Sequence, residues 1–233
     1  MDRPDETVPR SWIRTPYIER GDAMRLEVEM TFTIRTCEQK SVQCKESFRL
    51  LYYEADSDIA NDQRPSWDDE TYEFVDVIAG LVWTDENPLQ SNTVKRTVPV
   101  TKNGVYFAFL DEGACVVLRQ VRVYNIRCLE HTVNFAHFPD TPVDAAESGL
   151  VPVPGACVEN AVVDTQPVSQ CNAIGHWVLP TGLCKCIPGF QPFNVTFCKG
   201  ECLHLITSHE PSPPLPLKGC CFVFRLAVLL AFS

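Results

Sequence analysis

Arg35 is the residue of this chain best placed to bind a charged group of another molecule. It ends a run of strictly alternating apolar and polar residues from 26 to 35, and it falls on the polar side of that run. Cys37 and Cys44 follow and are close enough in sequence to be bridged, which would brace the loop between them. Because a guanidinium offers a fixed fork of donors that matches a carboxylate, we predict that Arg35 holds an acidic group of a partner.

Patterns that would support catalysis or metal binding are weak. The sequence has no glycine-rich phosphate loop, no Ser/His/Asp set in a recognisable turn and no histidine spacing typical of a metal site. One cysteine group could hold zinc in a reducing compartment, but its Cys-x-Cys spacing is atypical of zinc sites; it comprises Cys184, Cys186, Cys198 and Cys202. We therefore predict no enzyme activity, no cofactor and no metal.

The segments that must position Arg35 are predicted to be β-strands. Residues 26–35 alternate with a period of two, which is typical of a strand with one buried and one polar face. Residues 48–53 are rich in aromatics and are predicted to return as the second strand of a hairpin. Asn103-Gly104 predicts another hairpin turn, because this pair supplies the positive φ angles of a tight turn. Many short strands and no helical periodicity predict an all-β sandwich.

The second half of the chain differs in composition, and we predict three parts, 1–127, 128–202 and 203–233. From Cys128 onwards cysteine, proline and glycine are frequent and apolar runs are short. Such small modules are held by disulfides rather than by a core. The last part is a proline-rich linker followed by an apolar tail. The tail is too short for a membrane-spanning helix, and it is either a lipid-anchor signal or a non-native end.

Charge and cysteine content limit the class of protein. The 233 residues carry a formal net charge of −10, which argues against nucleic acid and against anionic membrane surfaces as partners. Twelve cysteines, nine of them after residue 120, suggest a disulfide framework if the protein is exported. The N-terminus has no apolar signal segment. We expect an extracellular or cell-surface protein whose N-terminus is truncated, with Asn194 in a glycosylation sequon.

A series of short motifs in one order resembles a known family. The earlier motifs resemble the ephrin-binding domain of Eph receptor tyrosine kinases; they include Trp12-Ile-Arg-Thr15, Phe32-Thr-Ile-Arg-Thr-Cys37, Cys44-Lys-Glu-Ser-Phe48, Gly104-Val-Tyr-Phe-Ala-Phe109 and Gly113-Ala-Cys115. The later motifs resemble the cysteine-rich segment that follows that domain; they include His137-Phe-Pro-Asp-Thr141, Gly175-His-Trp-Val178 and Pro180-Thr-Gly-Leu-Cys184-Lys-Cys186. The resemblance covers roughly residues 11–198.

The resemblance implies a β-jellyroll followed by a sushi-like disulfide-rich module. Its surface channel would bind the protruding loop of an ephrin on an apposed cell, with receptor clustering as a further association. Arg35 matches the family arginine that pairs with a ligand carboxylate. Thr33 and Val116 match channel-lining positions. The loop from 98 to 104, with Val100 and Lys102, matches a channel rim.

The resemblance also implies the disulfides, which spacing alone does not choose. The implied pairs are Cys37–Cys44, Cys128–Cys171, Cys157–Cys184 and Cys186–Cys198. Cys115 is left without a disulfide partner in this pairing. In the family its position pairs with a cysteine in the opening strands, and those strands are missing from the sequence.

Arg119 departs from the family, which carries an apolar channel residue at this position. Alternation along residues 115–125 predicts that Arg119 lies on the inward side of its strand with Val117, Val121 and Val123. We predict that Arg119 either pairs with a second acidic group on the ligand or blocks the insertion of an apolar ligand side chain into the channel. The sequence also contains no fibronectin repeat, membrane span or kinase motif, so kinase output is not expected from it.

Two other outcomes are kept as alternatives. One is a secreted jellyroll that binds carbohydrate or matrix, although a glycan-binding rim would need exposed aromatics and amides and the rim here offers mainly Lys102 and Asn103. The other is a non-functional truncated product, because the missing strands leave a sheet edge open.

Overall fold

The computed structural model describes residues 10–37, 44–83 and 91–200. These residues form β-strands and no helix, as predicted. In chain order the strands are β1 (Ser11–Arg14), β2 (Ile18–Glu19), β3 (Arg25–Arg35), β4 (Ser47–Ala55), β5 (Glu73–Ala79), β6 (Val82–Trp83), β7 (Asn92–Pro99), β8 (Gly104–Asp111), β9 (Val116–Tyr124), β10 (Arg127–Cys128), β11 (His131–Val133), β12 (Ala136–Phe138), β13 (Thr141–Pro142), β14 (Leu150–Pro154), β15 (Ala156–Cys157), β16 (Ala161–Asn172), β17 (Trp177–Cys186), β18 (Phe190–Phe193) and β19 (Phe197–Gly200).

The chain divides into two compact units. The first contains the described residues up to Glu130 together with Pro139–Val153 and Ser169–Pro180. The second contains His131–Phe138, Pro154–Val168 and the described residues from Thr181 onwards. Beyond β9 the strands form small sheets, namely β10-β13, β11-β12-β15, β14-β16-β17 and β18-β19.

Two sheets make up the β-sandwich of the first unit. One has the order β1-β8-β4-β5, with β2 also paired to β8. In the other, β3 is the central strand; it runs antiparallel to β7 and β9 and parallel to the short β6. Two largely antiparallel sheets whose connecting segments cross between them form the expected jellyroll sandwich.

The alternation along β3 predicts the core correctly. Its apolar side chains all lie between the sheets and are almost completely buried; they are Leu26, Val28, Met30, Phe32 and Ile34. Phe32 meets Phe48 of the facing sheet edge to face, with ring centroids 5.1 Å apart. Full burial of one such side chain contributes about 1.5–3 kcal/mol, so this strand is the main support of the sandwich.

The predicted hairpin between residues 25–37 and 48–53 is wrong, although both segments are strands. β3 pairs with β6, β7 and β9, whereas β4 pairs with β5 and β8 in the other sheet. Each strand has one strongly apolar face, and these faces are buried best by packing across the sandwich rather than side by side. The Cys37–Cys44 disulfide therefore closes a segment that crosses from one sheet to the other.

The predicted hairpin turn at Asn103-Gly104 is also wrong. β7 and β8 lie in different sheets, and neither Asn103 nor Gly104 has a positive φ angle. The glycine is needed for close packing instead. A Cβ atom there would lie 2.3 Å from Cζ of Tyr17 and 2.6 Å from the carbonyl oxygen of Ile18. Gly104 thus lets β2 approach the start of β8.

Four disulfides join the pairs that the resemblance implies. Cys37–Cys44 and Cys128–Cys171 lie in the first unit. Cys157–Cys184 and Cys186–Cys198 lie in the second unit. Among the residues that the structure describes, Cys115 is the free cysteine, and it is exposed. Cys202 and the apolar tail, for which alternatives were given above, lie outside the described residues.

His131 should make the second unit less stable in mild acid. Its ring stacks on Phe138 with centroids 5.3 Å apart, and burial, followed by repulsion from His137, lowers the pKa of His131 below its usual value. The unfolded chain, in which this pKa is about 6.5, then binds more protons than the folded chain. Stability should therefore be full above about pH 6.5 and fall as the pH drops below it.

A pH series of thermal unfolding measurements tests this dependence. His131→Phe keeps an aromatic ring against Phe138 but cannot titrate, so its melting temperature should fall less than that of the wild type between pH 7.5 and 5. His176→Gln, in the first unit, is the control and should follow the wild type. Parallel curves for the wild type and His131→Phe would contradict the assignment.

Candidate ligand-binding face

The outer face of the β3 sheet carries the polar residues that alternate with the buried ones. Along β3 these are Arg25, Glu27, Glu29, Thr31, Thr33 and Arg35. On the neighbouring strands, Val117 lies opposite Thr33, and Lys95 and Arg122 lie opposite Glu29. Because residues of one parity share a face of a strand, these alternating polar side chains of β3 all lie on the outer face of the sheet.

One end of this outer face is covered, which the sequence did not indicate. Arg25 is 4% exposed and Glu27 is 1% exposed. The Arg25 guanidinium donates to the carbonyl oxygens of Ala146 (3.2 Å) and Ala173 (2.6 Å), both in the first unit. We name this end the covered half; its side chains hold the later segments of the first unit against the sheet and are not open to a ligand.

Glu27 is the electrostatic centre of the covered half. Its carboxylate accepts a hydrogen bond from the Thr97 hydroxyl at 2.9 Å and lies 3.3 Å from Nζ of Lys95. Nε of Arg25 is 3.5 Å away from it. Burial acts to lower the pKa of Lys95, but hydrogen bonding and attraction to Glu27 outweigh it, so that this pKa is raised above its usual value. This arrangement satisfies a carboxylate that would otherwise be very costly to bury.

The other end of the outer face is open, and we name it the open half; it comprises Thr33, Arg35, Val117, Arg119 and Gln120. Arg35 is half-buried at the last position of β3, and its backbone N–H donates to the carbonyl oxygen of Cys115 at 3.0 Å. Val117 is 58% exposed although it is apolar, whereas the neighbouring Thr33 is buried. A half-buried cation beside an exposed apolar side chain suits a ligand with an acidic and an apolar group.

Glu46 holds the segment that leads out of the open half. Its carboxylate accepts hydrogen bonds from the backbone N–H of Cys37 (2.9 Å) and from the Thr36 hydroxyl (3.2 Å). The Cys37–Cys44 disulfide closes the same segment. These contacts fix the backbone just beyond Arg35. Residues 38–43, the rest of this loop, lie outside the described residues.

The inward position predicted for Arg119 is wrong. A β-bulge shifts the register of β9 against β3, so that Gln120 faces Thr31 while Leu118 faces Phe32. Arg119 is the extra residue, and both it and Gln120 are exposed. Because one inserted residue reverses the alternation of a strand, Val121 and Val123 pack into the core while Val117 and Arg119 do not.

Val116 lies on the opposite face of the sheet from Arg35. It is half-buried and lines a cleft of about 170 Å³ between the sheets. The residues around this cleft are Ser11, Ile13, Phe48, Phe109, Asp111, Val116 and Leu118. The structure therefore brings Thr33, Arg35 and Arg119 to one face but does not bring Val116 to it.

Val100 and Lys102 lie at the far end of β3. Pro99 pairs with Arg25, ten residues before Arg35, which corresponds to about 33 Å along an extended strand. Val100 is buried in the core. Lys102 is exposed, and its backbone N–H donates to Glu54 at 3.0 Å. These two rim residues are thus not part of the open half.

Two protein-family models match consecutive parts of this chain. The model of the ephrin receptor ligand binding domain matches residues 3–128, and the model of the ephrin cysteine rich domain matches residues 129–186. The chain belongs to the Eph receptor family. Both matched models are ectodomain domains, and neither is a kinase domain.

Eph receptors of several vertebrates are similar to this chain. Ephrin type-B receptor 3 of Homo sapiens is 40% identical over 197 residues, covering 80% of this chain and 19% of the relative. Ephrin type-B receptor 2 of Gallus gallus is 38% identical over 206 residues (84% and 20%). Ephrin type-A receptor 4-B of Xenopus laevis is 37% identical over 198 residues (81% and 20%). The chain spans about a fifth of the length of these curated Eph receptors.

The Eph receptor ectodomain is extracellular, which agrees with the disulfides of this chain because such bonds persist in oxidising compartments. Within the described ranges, none of the secondary structure is a helix with the length and apolarity to cross a bilayer.

Proposed function

We propose that this chain binds an ephrin through the open half of the β3 sheet. Arg35 carries the proposal, because it is half-buried at the end of the central strand, in the open half of the outer face, with exposed Val117 on the neighbouring strand. Membership of a family whose matching domain is a ligand binding domain supports ephrin as the partner. The ligand would be displayed on an apposed cell, and receptor clustering would follow binding.

The chemistry of recognition is a carboxylate held by Arg35. Partial burial lowers the local dielectric, so the charge-assisted hydrogen bonds of a forked guanidinium are stronger there than in water. The exposed Val117 side chain would pack against an apolar side chain next to that carboxylate. Thr33, buried between the two, would shape the floor of the site. The revised site is therefore Thr33, Arg35, Val117 and Arg119.

A binding panel tests the proposal. The full chain, produced by secretion and immobilised, would be titrated with each soluble ephrin, and with a panel of glycans and matrix proteins in parallel. We expect saturable binding of at least one ephrin, and Lys102→Ala, about 30 Å from Arg35 along the sheet, should bind like the wild type. Binding of glycans or matrix alone would favour the carbohydrate-binding alternative. Absence of a cooperative thermal transition would favour the alternative of a non-functional product.

We also propose that Asn194 carries an N-linked glycan when the chain passes through the secretory pathway. Asn194 is exposed in the turn between the paired strands β18 and β19, and Val195 and Thr196 complete the sequon. We expect the mass of secreted chain to fall by one glycan after treatment with peptide N-glycosidase. Asn194→Gln and Thr196→Ala should each abolish that shift, and a shift that persists in both variants would contradict the assignment.

A further inference from the structure

The β-bulge of β9 gives Arg119 an environment unlike that of the other arginine on the same outer face. Arg122 is ion-paired with Glu29 at 3.0 Å, and its guanidinium lies 5.6 Å from the ring centre of Tyr124. Arg119 has no ion pair, hydrogen bond or ring contact with any residue in the described ranges. These two arginines, three residues apart, thus differ in whether a residue of the described ranges supplies a partner for the guanidinium.

The charge of Arg119 stands out against that of the molecule. The chain has 30 acidic and 20 basic residues, so most arginines can find a carboxylate nearby. Of the five residues in the open half, two are arginines and none is acidic. A positive patch on an otherwise negative protein attracts acidic groups of a partner and repels basic ones. Electrostatic complementarity of this kind contributes to specificity and to association rate.

The geometry gives the separation of the two arginine backbones of the open half. The backbone of Arg35 bonds to Cys115, and Arg119 lies four residues further along β9. At the usual rise along a strand and spacing between strands, the two Cα atoms are at most about 14 Å apart, because the bulge shortens β9 locally. Exposed Val117 lies between them on the same face.

We propose that Arg119 is a specificity-determining residue that selects ephrins with a second acidic side chain. This inference rests on the proposed function. Arg35 binds the first carboxylate, Val117 contacts the apolar segment between the two, and Arg119 binds the second carboxylate. Ephrins without a second acidic group within reach of Arg119 bind through Arg35 and Val117 only, and therefore more weakly.

The test compares Arg119→Gln with Arg122→Gln against each ephrin that binds the wild-type full chain. Both variants remove one positive charge from the same strand and face, so a general effect of charge on association would change them equally. We expect Arg119→Gln to weaken binding of the tightest ephrins about three- to tenfold, with a smaller dependence of log Kd on log salt. Arg122→Gln should change Kd less than twofold.

A double-mutant cycle then identifies the acidic group. Each Asp and Glu of the ephrin loop would be changed to its amide, and coupling to Arg119→Gln should appear at one carboxylate that does not couple to Arg35→Lys. Equal effects of Arg119→Gln and Arg122→Gln, an unchanged Kd, or tighter binding by Arg119→Gln would each overturn this inference while leaving the proposed function intact. Absence of binding by every ephrin to the wild type would overturn both.

Discussion

Arg35→Leu should reduce the affinity for ephrin by at least about 30-fold, which corresponds to about 2 kcal/mol. The substitution removes the guanidinium but keeps an aliphatic side chain at the end of β3. A ligand carboxylate brought to this half-buried position would then be desolvated without a partner. Most of the loss should appear in the dissociation rate, which surface-immobilised binding measurements resolve.

Arg35→Lys separates charge from geometry. An ammonium keeps the positive charge but cannot form two parallel hydrogen bonds with one carboxylate, so its affinity should lie between those of the wild type and Arg35→Leu. Both variants should unfold at the wild-type temperature within about 3 °C, since Arg35 lies outside the core. Wild-type affinity in Arg35→Leu would contradict the proposed role.

Glu27→Ala should destabilise the first unit by about 3–5 kcal/mol, the cost of removing one partner from a buried ion pair. Arg25 would be left buried without its neighbouring negative charge, and Lys95 and Thr97 would lose an acceptor. The loss would be measured as the change in the free energy of unfolding in urea, followed by tryptophan fluorescence.

Glu29→Ala is the matched control, because Glu29 is the next acidic residue on the same face of the same strand. Its partner Arg122 is 59% exposed, and such exposed pairs contribute about 1 kcal/mol or less. Equal destabilisation by Glu27→Ala and Glu29→Ala would mean that the covered half does not depend on its buried charges.

The strands were predictable from the sequence because the signal is local. A strand buried on one face must alternate, and residues 26–34 do so without interruption. The pairing of strands was not predictable, because alternation shows which face of a strand is buried but not which strands lie beside it in the sheet. For that reason β3 and β4 were identified as strands but assigned to the wrong arrangement.

Two features of the outer face escaped prediction for different reasons. The burial of Arg25 and Glu27 depends on residues about 120 to 150 positions away in sequence, and polar alternation is the same whether a face is covered or open. The bulge at Arg119 left an ambiguous signal. Val116, Val117 and Leu118 are all apolar, so Val121 and Val123 continue an alternation that starts at Val117 as well as one that is shifted after Leu118.

On the proposed function, one strand serves both stability and recognition. At its first residues β3 uses buried charges to hold later segments of the first unit, and its last residue is the half-buried Arg35 of the proposed site. Substitutions in the covered half should change unfolding, and substitutions in the open half should change binding. The two sets of variants proposed above therefore test the two halves separately.

Hydrogen–deuterium exchange of the full chain, alone and saturated with its tightest ephrin, tests the location of the site most directly. We predict slower exchange in the complex at residues 31–35 and 115–120, the backbone of the open half, with no change at residues 98–104. Protection confined to residues 98–104 or to the second unit, with unchanged exchange at the end of β3, would contradict the assignment of ephrin binding to Arg35 and its neighbours.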